Sequence, residues 1–220
     1  MSEKLRLRFA KEGRAVFISH LDLMRTMQRA FQRADLSLKY SEGFNPHPIL
    51  SILLPLSVGV QSLCELMDFE LAQPSALDSL PVRLTSVMPE GIRVLEAYPQ
   101  GRKVRDLKWL RVSGIMEYDT ADVHTVRDGL QRFFAAERIV IRKKTKRGEG
   151  ESDIAPAIRS IGFEAEEGVV RLNAVISAQD PTLNPEHLIS ALTQITPELA
   201  PDFAHFTRME VYDAGMHAFR

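Results

Sequence analysis

The stretch "FISHLDLMRTMQRAFQRADLSLKYSEGFNPHPILSILLPLSVG", residues 17–59, decides the fold because its hydrophobic period changes along its length. Ser19 is a good N-cap for a helix, and Asp22 can complement the helix N-terminus. After the helix, "LSLKY" and "ILSILLPLSVG" have the patterns of strands. The predicted helix has an apolar face made by Leu21, Met24, Met27, Phe31 and Ala34, which recur at three- and four-residue spacing.

The same reading extends to both ends of the chain and predicts a duplicated fold. Residues 1–99 follow the order strand, helix, strand, strand, helix, strand, which is that of a ferredoxin-like (βαββαβ) unit. Residues 111–220 can be read in the same order, with residues 100–110 as a linker. A gapless internal repeat, "MQRAFQRADLSLK" (27–39) on "LQRFFAAERIVIR" (130–142), supports duplication. We therefore predict an α+β fold of two tandem ferredoxin-like halves with antiparallel sheets.

The composition is that of an ordinary globular protein and excludes several functional classes. Of 220 residues, 45% are hydrophobic and 26% charged, which is enough for a real core. No apolar run approaches the roughly 18 residues of a membrane span, so we expect no membrane association. Cys64 is the single cysteine, which rules out an internal disulfide or a multi-cysteine metal site and fits a cytoplasmic location. The chain contains no P-loop, dinucleotide-binding or H-E-x-x-H motif, and we expect neither metal nor cofactor.

Positive charge is concentrated in one arm of the second half, residues 138–147, "RIVIRKKTKR". This arm carries six basic residues and no acid, although the formal net charge of the chain is −1. Basic residues on an edge strand can simply prevent sheet-to-sheet association, but this density favours contact with phosphates. The residues expected to make that contact are Arg142, Lys143, Lys144, Lys146 and Arg147. The following "DIAPAIRSIGFEAE", residues 153–166, could be an extra strand or a short helix.

The first predicted helix also carries a row of cations. Arg25, Arg29 and Arg33 recur every four residues, which places three guanidinium groups on one flank of the helix. Bidentate donors about 6 Å apart suit a phosphate backbone. The alternative is a solvated helix face on which Asp22 pairs with an arginine.

The connector "EGFNPHP", residues 42–48, has more chemistry than a turn requires. Gly43 permits a positive φ, and the two prolines restrict the backbone. Phe44 and His47 offer rings on which a base could stack, and Asn45 offers a donor and an acceptor. Alternatively, Phe44 plugs the edge of the sheet and the prolines only end the strands. We predict a stiff recognition loop, with Asn45 and His47 facing a partner.

Three motifs in the first half, "FISHLDLMR", "YSEGFNPHP" and "LPLSVGV", strongly resemble those of a radical-SAM-associated domain of unknown function. The later "KKTKRGEGESDIAP" resembles that family's basic segment leading into Asp153 and Ile154. Members of the family occur alone or fused to the C-terminus of B12-binding-type radical SAM proteins, and their genes tend to lie near genes of RNA metabolism. The cysteine motif of the radical SAM enzymes is absent here. The resemblance therefore implies a companion of the radical generator and not the generator itself.

The leading hypothesis is an RNA-binding accessory protein, itself non-catalytic, that presents tRNA or rRNA to a radical SAM partner for modification or maturation. A second hypothesis is a metal-independent endoribonuclease in which His20 or His47 acts as the catalytic base. Histidine at a helix start, as His20 is, also has a plain structural reading. A third hypothesis is a module that docks on the radical SAM protein without contacting RNA.

Overall fold

The computed structural model describes residues 3–145 and 148–220, so Lys146 and Arg147 of the basic arm lie outside the described residues. The chain forms two compact units. Unit 1 comprises Met1–Asp106 with Phe219–Arg220, and unit 2 comprises Leu107–Ala218. Across the described residues, four α-helices accompany antiparallel strands, which confirms the predicted α+β class.

Within unit 1, four antiparallel strands pair in the order β4-β1-β3-β2. Alternate side chains of the strands pack with the helices into one core that includes Leu7, Phe9 and Phe69. Pro81 lies in the first turn of the second helix, where a proline is tolerated. The elements of unit 1 are β1 (Lys4–Lys11), α1 (His20–Arg33), β2 (Leu50–Leu53), β3 (Gln61–Glu70), α2 (Leu80–Thr85) and β4 (Ile92–Pro99).

The helix α1 begins as the sequence predicts. Ser19 is the N-cap, and its hydroxyl oxygen accepts a hydrogen bond from the Asp22 N–H at 3.2 Å. The apolar face differs from the predicted one at its start. Leu21 is 66% exposed, and the buried face begins at Leu23, about half a turn later. Met24 is only partly buried against this core. The buried residues of the face recur at helical spacing, namely Leu23, Met27, Ala30, Phe31 and Ala34.

Within unit 2, four antiparallel strands pair in the order β10-β5-β9-β8, and β6 and β7 form a separate two-stranded hairpin. Asp122 caps α3 by accepting hydrogen bonds from the backbone of His124 and Thr125. The elements of unit 2 are β5 (Leu107–Glu117), α3 (Val123–Phe134), β6 (Val140–Thr145), β7 (Gly148–Asp153), β8 (Ile158–Glu166), β9 (Val169–Ser177), α4 (Glu186–Ile195) and β10 (Phe203–Asp213).

The basic arm is a hairpin and not a strand of the unit 2 sheet. β6 pairs only with β7, and the sheet position beside β9 is taken by β8. The segment that the sequence left open, residues 153–166, therefore holds a short 3-10 turn, Ala155–Ala157, followed by a full strand. In unit 1 the predicted strand "LSLKY" makes only isolated bridges, from Leu38 to Leu71 and from Tyr40 to Pro48.

The internal repeat corresponds to equivalent core positions in the two units. Phe31 and Phe134 are both buried at the ends of α1 and α3. The paired positions that follow them are also buried, Leu36 and Leu38 in unit 1 and Ile139 and Ile141 in unit 2. In each unit, the repeat thus spans the end of a helix and the buried extended segment that follows it.

Candidate nucleic-acid interface

A groove of about 590 Å³ runs along one flank of α1 in unit 1. The helix contributes Arg25, Gln28, Arg29 and Gln32, at the i, i+3, i+4, i+7 spacing of a single helix face. The facing wall is the extended chain after α1, with Tyr40 and Pro48 at one end. Leu36 and Leu38 belong to this wall. The groove is therefore polar on the helix side and partly apolar on the facing side.

Two guanidinium groups border this groove. The Arg25 side chain is 66% exposed and pairs with Asp22 at 3.1 Å. The pKa of Asp22 is lowered, first by the hydrogen bond from the Ser19 hydroxyl and then by Arg25. An exposed pair of this kind contributes little stability, so Arg25 can exchange it for a phosphate. Among the described residues Arg29 has no hydrogen bond or ion pair, and it is exposed.

Arg33 does not border the groove, although the sequence places it in the same row. Its Nη1 donates to the carbonyl oxygen of Val87 at 3.4 Å, beyond the end of α2. At the C-terminal end of α1, Arg83 donates to the carbonyl oxygens of Ala34 and Asp35 at 2.7 and 3.2 Å. Two arginines thus join α1 to α2, and Arg33 contributes to that junction.

The loop between Tyr40 and Pro48 is closed at its base by one pair of residues. The Ser41 N–H donates to the His47 carbonyl at 2.9 Å, and the His47 N–H donates to Ser41 Oγ at 3.1 Å. A third hydrogen bond, of 2.9 Å, joins Ser41 Oγ to His47 Nδ1. His47 therefore holds the loop shut with one ring nitrogen and remains exposed.

The tip of this loop presents its side chains to solvent. Phe44 is 110% exposed, so the alternative in which it plugs the sheet edge is wrong. Gly43 has a φ of +131°, which confirms the predicted positive φ, and no atom lies near enough to hinder a substituent there. The Asn45 side chain is exposed and makes no hydrogen bond to any described residue. The loop offers an aromatic ring and an amide, both unoccupied by other protein groups.

The two histidines of the nuclease hypothesis occupy different local settings. His20 is exposed in the first turn of α1, directly after the Ser19 cap. His47 engages Ser41 at the loop base. Within residues 3–145 and 148–220 no hydrogen bond joins the two imidazoles. The geometry provides no pre-formed acid–base pair.

The basic arm carries acids opposite its cations. The hairpin register places Arg142 opposite Glu151 and Lys144 opposite Glu149. Directly opposed residues on neighbouring strands bring their Cβ atoms within about 5 Å, so Glu151 offsets part of the positive charge of Arg142. Burial lowers the pKa of His187, and the positive charge of the partly buried Lys143 lowers it further.

Asp153 closes the base of the arm. Its Oδ1 accepts hydrogen bonds from the Ile139 N–H at 2.9 Å and the Ala155 N–H at 3.1 Å. The side-chain amide of Gln194 pairs with both backbone groups of Arg142, at 2.8 and 3.1 Å, and covers the strand edge there. Asp153 is therefore a positioning residue for the whole hairpin.

Three groove residues were missed by the sequence analysis. Gln28 and Gln32 complete the stripe with Arg25 and Arg29, and a search for any polar period of 3.6 would have found them. Tyr40 was predicted only as the last residue of the strand "LSLKY", and it is 49% exposed beside the groove. Arginine spacing alone selected Arg33 instead.

Other kinds of site are not found in the described part of the chain. It contains no group of three or more histidine, cysteine or acidic side chains able to hold a metal ion. None of its helices is both long enough and apolar enough to cross a membrane.

One family model matches most of the chain. The profile of a family described as "Uncharacterized protein conserved in bacteria (DUF2344)" matches residues 4–185. A search of curated proteins found no significant match.

Two of the solved structures that match the chain show how distant the likeness is. One is a "Crystal Structure of a Cbf5-Nop10-Gar1 Complex", at 10% identity and a TM-score of 0.48, covering 94% of this chain and 48% of that chain. The other is a "Crystal Structure of an Unknown Protein from Galdieria sulphuraria", at 9% identity and a TM-score of 0.27, covering 97% and 99%. This chain spans about half the length of the first structure. Neither likeness is strong enough to indicate a function.

Proposed function

This chain belongs to the DUF2344 family, and we propose that it is an RNA-binding accessory protein that acts in RNA modification or maturation. The observation that carries the proposal is the combination of the α1 groove with the loop beside it. The groove has two available guanidinium groups, on Arg25 and Arg29. The loop adds Phe44, an aromatic side chain with no protein contact to explain it. Sites that bind unpaired nucleic acid commonly combine positive charges with exposed aromatic side chains on which bases stack.

The division of labour follows from the chemistry of each group. Arg25 and Arg29 hold phosphates, whose contacts supply affinity without sequence preference. Phe44 stacks on an unpaired base, and the free amides of Asn45 and Gln28 can bond to base edges. Because the loop is closed before any ligand binds, little additional ordering entropy opposes association.

The basic arm makes a second, weaker contact in this proposal. Arg142 and Lys143 are the described residues available for it, and Lys144, Lys146 and Arg147 extend the same segment. Glu151, across the hairpin, reduces the attraction of Arg142 for phosphate. We therefore assign the arm to non-specific backbone contact. Arg33 is a minor member of the phosphate-binding set because it also donates to Val87.

We also interpret the two units as tandem ferredoxin-like halves. In support, the strands of each unit pair in the spatial order fourth, first, third, second, counted within the unit and leaving out the β6-β7 hairpin. The partner to which RNA is presented is a radical SAM protein in this proposal. That assignment is supported by the resemblance of "FISHLDLMR" and "YSEGFNPHP". A cytoplasmic location is supported by the single cysteine.

The binding function is tested by titrating labelled tRNA and rRNA fragments with the chain at several salt concentrations. Arg25→Glu/Arg29→Glu should weaken binding by at least tenfold and flatten the salt dependence by about 0.7 per lost phosphate contact. Arg93→Glu/Arg105→Glu is the matched control, because both side chains are exposed in unit 1 and neither borders the groove. Absence of salt-sensitive binding by the unaltered chain, alone or with its partner, would falsify the proposal.

The partner is tested by purifying the tagged chain from cells with and without ribonuclease treatment. Recovery of a radical SAM protein in both conditions supports direct presentation. Recovery of that protein together with a complete lack of RNA affinity would support the docking module instead. Cleavage of the RNA that is lost in His20→Ala or His47→Ala would replace the accessory role by the nuclease role.

A further inference from the structure

The sheet of unit 2 leaves one of its faces open. Along β5 the buried residues are Leu110, Val112, Gly114 and Met116, so the face of the sheet that carries them is the one that faces the core and the helices. The alternating set on the same strand points the other way and is partly or fully exposed, namely Trp109, Arg111, Ser113, Ile115 and Glu117. An antiparallel sheet can present such a face to water without any ligand. At the Trp109 end of this face, however, aromatic and positively charged side chains are found together.

Trp109 is the only tryptophan of the chain, and it carries a cation over its ring. The guanidinium carbon of Arg159 lies 5.4 Å from the ring centroid. Lys108 Nζ lies 5.9 Å from the same centroid, and donates to the backbone carbonyls of Gln179 and Asp180. The indole is only partly buried. An aromatic ring with a guanidinium beside it provides both a stacking surface and hydrogen-bond donors.

Arg159 reaches Trp109 because β8 is irregular at this point. The register between β8 and β9 shifts between Ile158 and Ser160, so Arg159 is the extra residue of a bulge. A bulge re-aims a side chain, and here it directs the guanidinium across β9 to a residue of β5. Among the described residues no acceptor pairs with the N–H groups of Arg159. Its five donors are therefore available.

Two further side chains complete the same end of the face. Tyr212 on β10 is the direct cross-strand partner of Trp109 and shares its face. Arg111, two residues along β5, is exposed and has no ion pair with a described residue. Three cations, Lys108, Arg111 and Arg159, thus stand at this end.

Two acids of β10 also lie at this end, Glu210 and Asp213, and Asp213 is paired with His217 at 3.2 Å. Glu210 is the cross-strand partner of Arg111, and its Oε1 accepts the Val211 N–H at 2.9 Å. At the opposite end of the face Glu166 is paired with Arg171 at 2.9 Å, and Glu117 lies near His205. The Trp109 end is therefore the positive and aromatic end of a face whose other end is acidic.

We propose that this end of the unit 2 sheet binds an unpaired stretch of RNA, independently of the α1 groove. A base stacks against the indole of Trp109 or the guanidinium plane of Arg159, with Tyr212 beside it. The adjoining phosphate is held by Arg111 and Arg159. The occupant is nucleic acid because the positive charge and the flat rings coincide at one end of the face. Duplex RNA fits poorly because its bases are already stacked.

The test uses Trp109 as its own reporter, since no other tryptophan contributes to the fluorescence. Short oligouridine, titrated at low ionic strength with excitation at the red edge of the indole absorption, should quench the emission saturably. A duplex of the same length should quench it far less. Arg159→Ala should weaken the apparent affinity on the order of tenfold. Arg159→Lys should recover only part of the loss, because lysine keeps the charge and lacks the plane.

Arg171→Ala is the matched control, because Arg171 lies on the same sheet face but is occupied by Glu166. It should leave the quenching unchanged. Arg25→Glu/Arg29→Glu should weaken binding at the α1 groove and still leave saturable quenching of Trp109, so the two sites can fail separately. Absence of saturable quenching, or equal affinity in Arg159→Ala and Arg171→Ala, overturns the proposal. Quenching by a protein partner but not by oligouridine overturns it in favour of a protein-docking face.

Discussion

The loop of unit 1 and the hairpin arm of unit 2 occupy the same position in their units and are built differently. Each follows the first helix of its unit and the buried extended segment after it, and each precedes the next strand of the sheet. Each is closed at its base by a polar side chain, Ser41 in the loop and Asp153 in the arm. One excursion is a short, proline-restricted loop, and the other is a two-stranded hairpin.

The difference lies in what remains available after the chain has folded. At the loop tip, the side chains of Phe44 and Asn45 have no protein partners among the described residues. In the arm, the register sets Arg142 against Glu151 and therefore offsets part of its charge. A run of cations in the sequence is thus a weaker sign of a binding site than an aromatic side chain that nothing in the fold covers. The pairing strand decides how much of the charge is free.

The largest expected effect concerns the closure of the arm. Asp153→Ala removes the acceptor of two backbone N–H groups, at Ile139 and Ala155. Hydrogen bonds to a charged group are worth about 1.5–3 kcal/mol, so the free energy of unfolding should fall by about 2–3 kcal/mol. Urea denaturation of the purified variant measures this.

The matched control for that change is Glu151→Ala, an exposed acid on the same strand, which should alter stability by less than about 0.5 kcal/mol. Asp153→Asn should lose less than Asp153→Ala because the amide oxygen can still accept. Equal stability of the two alanine variants would mean that the arm is not closed by Asp153, and the parallel with the loop would fail.

The next effect concerns the loop tip. Phe44→Ala should weaken RNA binding roughly tenfold, about 1.4 kcal/mol, because a stacking surface is lost. The free energy of unfolding should not change, since the fully exposed ring buries nothing in the folded chain. Phe17→Ala, which removes another exposed aromatic of unit 1, is the control and should leave RNA affinity intact. A loss of stability without a loss of affinity would make Phe44 a structural residue.

A smaller effect separates two neighbours in the loop. His47→Ala removes the hydrogen bond between Nδ1 and Ser41 Oγ and should cost about 0.5–1 kcal/mol of stability. Asn45→Ala removes no hydrogen bond seen among the described residues and should leave the melting temperature unchanged while lowering RNA affinity. Calorimetry and anisotropy titration of both variants measure the two quantities. If Asn45→Ala proved the more destabilising, the assignment of closure to His47 and recognition to Asn45 would be reversed.

The sequence predicted the parts of the molecule that depend on local periodicity. The Ser19 cap, the positive φ of Gly43 and the α+β class follow from rules that act within a few residues. The register of β6 against β7 could not be predicted, because it depends on how two strands pair. The same holds for Arg33, whose contact with Val87 depends on where α2 lies. Side-chain availability is a tertiary property, and charge spacing alone does not report it.

The smallest expected effect is in the arm's own share of RNA binding. Arg142→Glu should weaken binding only about twofold, because Glu151 on the neighbouring strand already offsets part of that charge. Arg29 has no paired acid among the described residues, so Arg29→Glu should weaken binding about tenfold under the same conditions. The reciprocal variant sharpens the comparison: Glu151→Gln should strengthen binding slightly by releasing Arg142. Titrations with labelled RNA at low and moderate salt measure all three. If Arg142→Glu weakened binding as strongly as Arg29→Glu, and Glu151→Gln had no effect, Glu151 would not be offsetting the charge of Arg142, and the arm would rank beside the α1 groove as a principal contact.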